Sequence, residues 1–281
     1  MAPEAGRRRR ARTLALLTIG LIGFASLPLM APSAAMDWRA QWLVAVLVGG
    51  AAAFGAFQLH GADEPRGVPI ESLITPALVA VAIYAAIPAA VWLGMHPAFA
   101  TVAALIGGIV LLQTAIDAER PFVRLGDLPA ERDRRVVEGL LLGAAFLVFV
   151  GIAATLPGGW PLPELDVTGD VPVDSVVTIG LADAAIALLA GYRLTAMAGP
   201  GQGLGWVSGT YAVVIGAASV ALRWLAVPGL MGPALLVVLL YLIMITRTRA
   251  SAPGLHGRWP FEALILGLAV VAVVVFQLLG R

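Results

Sequence analysis

Long apolar runs alternate with short polar stretches along the 281-residue chain. A helix needs about 20 largely apolar residues to cross a hydrocarbon core of about 30 Å. Nine segments reach that length: 13–31, 41–59, 72–94, 97–116, 136–156, 175–198, 205–226, 229–246 and 260–279. In lipid only helices and closed barrels satisfy the whole backbone, and unbroken apolar runs of this length select helices. The expected fold is therefore an all-α integral membrane protein of about nine transmembrane helices. His96-Pro97 separates spans three and four, and Val227-Pro228 separates seven and eight; turns this short make antiparallel neighbours.

Two stretches carry a further pattern. VAIYAAIPAAVWL (81–93) and VVIGAASVALRWL (213–225) are identical at seven of thirteen positions without a gap. Each is followed by a turn ending in proline. In each half a span ends in Leu-Pro (Leu27-Pro28, Leu156-Pro157) and an acid opens the next (Asp37, Asp174). This order predicts two parallel four-helix repeats and a closing helix. The domains are then a basic N-terminus 1–12, a first repeat 13–116, a charged loop 117–135, a second repeat 136–246, a loop 247–259 and a final helix 260–281.

Charge sets the orientation. With the N-terminus in the cytoplasm, fourteen of the eighteen basic residues fall on the cytoplasmic side: Arg7 to Arg10, Arg12, Arg66, Arg120, Arg124, Arg132, Arg134, Arg135, Arg247, Arg249 and Arg258. That is the bias of the positive-inside rule. The expected location is the cell membrane, with the N-terminus inside and the C-terminus outside. RRRRAR followed by an apolar run and APSAA also fits a signal peptide. The run of about 18 residues exceeds a signal's usual 7–15, so a retained anchor is expected.

Charges inside spans are costly, about 2.5–3.5 kcal/mol each at a helix centre, and usually face a partner or water. Span six carries Asp183 and Arg193, and span seven carries Arg223. Asp183 and Arg193 are ten residues apart, about 15 Å along the helix, too far to pair directly. By depth, Asp183 is expected to meet Arg223, and Arg193 to meet Glu262 near the start of span nine. These four residues are the candidate substrate- or ion-binding groups. Set against this reading, the same charges would serve as ion pairs fixing helix register. Glu71, Glu138 and Glu262 each lie near a helix start, where the helix dipole favours an acid.

Small residues four apart recur at Gly139/Gly143, Gly180/Ala184, Gly205/Gly209 and Ala212/Gly216. Such faces let helices approach closely, and they predict that spans six and seven pack together. Pro76 and Pro88 in span three predict a kink.

Composition narrows the chemistry. The chain is 60% hydrophobic and 12% charged, with no cysteine. Without Cys there is no thiol chemistry; the chain also lacks Lys, which excludes a Schiff base and a P-loop lysine, and Asn, which excludes N-glycosylation. The glycine-rich GPGQGLG (199–205) follows no strand and so fails the phosphate-loop pattern. His60, His96 and His256 are expected in loops on both sides of the membrane, with no zinc spacing among them. The segment 117–135, with five acids and five arginines, reads as a solvated loop. No catalytic constellation, metal site or cofactor site is legible. No basic stripe suits nucleic acid. The expected partners are the lipid bilayer and a membrane-protein partner or second copy of the chain. Two functions fit these residues: a small-solute or ion transporter with its charged site in the second half, and a non-catalytic scaffold or accessory subunit of a membrane complex.

Overall fold

A computed structural model of the chain describes residues 2–30, 37–61, 67–123, 130–156, 173–197, 204–225, 227 and 229–250. Among these residues there is no strand. Eight helices follow in order: α1 (Ala2–Met30), α2 (Trp38–Gly61), α3 (Ile74–Trp92), α4 (Pro97–Val123), α5 (Glu131–Thr155), α6 (Val173–Met197), α7 (Leu204–Trp224) and α8 (Met231–Ala250). The first seven are long and apolar enough to cross a membrane, and α8 is apolar over the shorter stretch Met231–Arg247. Span nine, 260–279, lies outside the described residues. Large apolar side chains such as Leu17, Phe24, Val46, Phe54, Ile106 and Leu181 point outward. That is the surface lipid requires, and the chain is a polytopic helical membrane protein.

The helices form two compact units, Met1–Pro157 and Gly158–Arg281. In the first, α3 is the central helix, packed against α2, α4 and α5. Its contact with α5 is close: a Cβ on Gly151 would lie 2.6 Å from the Cβ of Ala85. Thus α5, which the repeat pattern sets at the head of the second half, packs on α3 of the first unit. Trp42 of α2 reaches the same helix, its Nε1 donating to Thr155 Oγ1 at 3.0 Å.

The α3–α4 turn follows from its residues. Gly94 has φ +90°, and its N–H bonds to Val91 O while that of Met95 bonds to Ala90 O. This paired closure of a helix C-terminus favours glycine, which has no Cβ to clash at positive φ. Pro97 then opens α4, where its missing N–H costs nothing. Pro76 sits in the first turn of α3, behind a 3-10 turn at Ile70–Leu73. Only Pro88 lies in the helix interior.

α4 runs to Val123, past the end at 116 that its apolar pattern suggests. Leu112, Ala115, Ile116, Glu119 and Val123 are all buried, at spacings of three and four that keep them on one helical face. Glu119 therefore leaves the solvated loop expected at 117–135 and enters the packed interior. His60 is likewise no loop residue: it is buried in the last turn of α2. His96 stays in the α3–α4 turn, and His256 lies outside the described residues.

Candidate functional site

The second unit is organised by the α6–α7 pair. Two glycines make it close: a Cβ on Gly180 would lie 2.6 Å from Val220 Cγ2, and one on Gly216 would lie 3.0 Å from both Ala184 Cβ and Gly180 O. Further along, a Cβ on Gly191 would strike the Tyr211 ring at 2.6 Å. Gly180, Ala184 and Gly216 of the small-residue faces thus bring spans six and seven together as the sequence suggests. Gly205 and Gly209 take no part; a Cβ on either would meet nothing within 4 Å. The same is true of Gly139 and Gly143 on α5.

This close approach buries Asp183 completely. Ser219 of α7, also fully buried, donates its hydroxyl to Asp183 Oδ2 at 2.5 Å. The other carboxyl oxygen, Oδ1, is buried and has no hydrogen-bond partner among the described residues. Arg223, which the charge pattern sets against Asp183, lies on the same helix as Ser219. Arg223 is one turn beyond Ser219, in the last turn of α7, where the helix dipole favours a cation. It is buried and engaged in contacts of its own. The hydroxyl of Ser219 meets the acid directly.

Arg193 is buried on α6 at 2% exposure and makes its own contact. Glu262, its expected partner, lies outside the described residues. The structure thus brings Asp183 and Arg223 to one helix pair, with Ser219 between them in register.

A second buried acid is in the first unit. Glu119 is fully buried, and Thr75 of α3, also fully buried, donates its hydroxyl to Glu119 Oε1. Each unit therefore holds a carboxyl met by a β-hydroxyl on a neighbouring helix. The cost of placing an acid in apolar surroundings is offset locally by a hydrogen bond, not by a surface position. By contrast, Glu138 pairs with Arg134 at 2.9 Å along α5, and Glu131 pairs with Arg135 on an exposed face.

A carboxyl oxygen beside a hydroxyl is hard-oxygen coordination, suited to a proton or a small hard cation rather than to a soft metal. Among the described residues no group of three His, Cys, Asp or Glu could hold a metal ion. No known protein family matches the chain, and no curated protein or solved structure is similar to it.

Proposed function

We propose that this membrane protein transports a small solute or ion, and that Asp183 takes up and releases the coupling proton or cation. The observation that carries this reading is the fully buried Asp183 carboxyl, with one oxygen held by Ser219 and the other lacking a hydrogen-bond partner among the described residues. An intramembrane acid with spare coordination capacity is the kind of group that proton relays and ion paths use. Arg223, Arg193 and Glu262 complete the charged site. The chain crosses the membrane nine times as two four-helix repeats and a closing helix, N-terminus inside.

A second reading is a non-catalytic scaffold or accessory subunit. The contact at Gly180 and Gly216 favours it, because helices this close leave little room for water beside the acid.

The natural absence of cysteine permits a direct test. Asp183→Cys and Leu181→Cys are exposed in intact cells to a small membrane-impermeant thiol reagent. Leu181 points outward and stays silent if it faces lipid. Labelling at 183 alone means water reaches the carboxyl position, as transport requires. Silence at 183, in protein that elutes as a folded species, rejects the transport reading in favour of the scaffold.

A further inference from the structure

A groove of about 510 Å³ runs along the first unit, with Val79, Ala82 and Ile83 of α3 as its floor. Leu111 and Thr114 of α4 form one rim, and Gly139, Gly143 and Leu147 of α5 form the other. Both glycines face open space, so the α5 rim is low where side chains would otherwise close it. One end of the groove is lined by Arg135, near the start of α5. The rest is apolar apart from Thr114, whose hydroxyl is already donated to Val110 O.

Length and chemistry select an occupant. From Arg135 to Leu147 the groove follows twelve residues of α5, about 18 Å of helix. A single leaflet is about 15 Å of hydrocarbon. An apolar channel one leaflet long, with a guanidinium at the end where polar groups begin, matches a phospholipid with its acyl chain inward and its phosphate outward. Basic pockets between transmembrane helices bind lipid head groups in this way. The Arg135 guanidinium pairs with Glu131, but both side chains are more than 70% exposed. Such a pair contributes little and leaves donors for a phosphate, which arginine binds in a fork of two hydrogen bonds.

We infer that the α3–α4–α5 groove is a phospholipid site, with one acyl chain along Gly139 and Gly143 and the lipid phosphate on Arg135. The site is separate from Asp183 and stands whether or not that residue couples transport.

The test uses the full-length protein, delipidated in detergent and titrated with phosphatidylglycerol or with diacylglycerol, which has the same chains and no phosphate. Native mass spectrometry counts the adducts. The wild type is expected to hold one phosphatidylglycerol, about tenfold tighter than diacylglycerol, the worth of one charge-assisted contact. Gly143→Trp fills the groove and is expected to abolish the discrete adduct with both lipids. Arg135→Gln removes an exposed head, so it preserves the fold and carries the test by itself; it is expected to erase the preference for the phosphate. No discrete wild-type adduct would overturn the proposal. So would unchanged preference in Arg135→Gln, unchanged binding in folded Gly143→Trp, or a wild-type dimer that Gly143→Trp turns into monomer, since the groove would then seat a second copy.

Discussion

Ser219 Oγ stands 2.5 Å from Asp183 Oδ2 across the α6–α7 contact, and both side chains are fully buried. The hydroxyl is thus the group that makes an acid tolerable at that position. Ser219→Ala removes the hydrogen bond that Asp183 accepts among the described residues and is expected to cost about 1–3 kcal/mol. Thermal unfolding in detergent, followed by tryptophan fluorescence, reads this as a lowered midpoint. Asp183→Asn retains an acceptor for Ser219 and is expected to unfold near the wild-type temperature. Under the transport reading it nevertheless loses ion coupling, which a flux assay in proteoliposomes measures.

The α6–α7 approach sets a contrast between glycines. Gly180→Leu drives a side chain into Val220 and the Gly216 carbonyl, and overpacking of this kind costs about 1–3 kcal/mol. Gly209→Leu enters open space and is expected to leave stability unchanged or slightly raised, since glycine is a poor helix former. Equal losses in the two variants would show that α6 and α7 do not meet at Gly180.

Thr75 and Glu119 form the corresponding pair in the first unit. Thr75→Val keeps the shape and removes the donor, so it should destabilise by about 1–3 kcal/mol. Glu119 makes a further interaction besides Thr75, so Glu119→Leu is expected to cost more than Thr75→Val, and the double variant no less than Glu119→Leu alone. Urea- or heat-induced unfolding of the three variants decides it.

Trp42 and Thr155 tie α2 to α5. A double-mutant cycle with Trp42→Phe and Thr155→Val is expected to give a coupling of about 0.6 kcal/mol, the usual worth of a hydrogen bond between membrane helices. A coupling of zero would mean that the two side chains do not meet.

Helix positions were legible in the apolar runs because lipid demands a fixed length of apolar residues, although α1 begins earlier, and α4 ends later, than its apolar run. The α6–α7 contact was legible in Gly180, Ala184 and Gly216. Partner choice was harder. Charge complementarity draws attention to Arg223, whereas the donor that reaches Asp183 Oδ2 is Ser219, one turn away on α7, which composition does not single out. Glu119 was hidden for another reason: DAERPFVR (117–124) is charge-dense, and averaging over it conceals the buried face that Leu112, Ala115, Ile116, Glu119 and Val123 trace. His60 was lost the same way, as the last polar residue of an apolar helix. Glycine pairs also mislead by themselves. Gly139/Gly143 and Gly180/Ala184 look alike in sequence, but the first borders an open groove and the second a helix.

The Asp183–Ser219 hydrogen bond joins residues 36 positions apart in sequence. At about 5–20 residues per second of synthesis, the acid is made roughly 2–7 s before the hydroxyl that receives it. During that interval α6 holds Asp183 and Arg193 without the surface of α7, a poor candidate for release into lipid alone. Only when α7 follows does the Asp183 carboxyl gain the Ser219 hydroxyl, so the two helices become a settled pair one after the other.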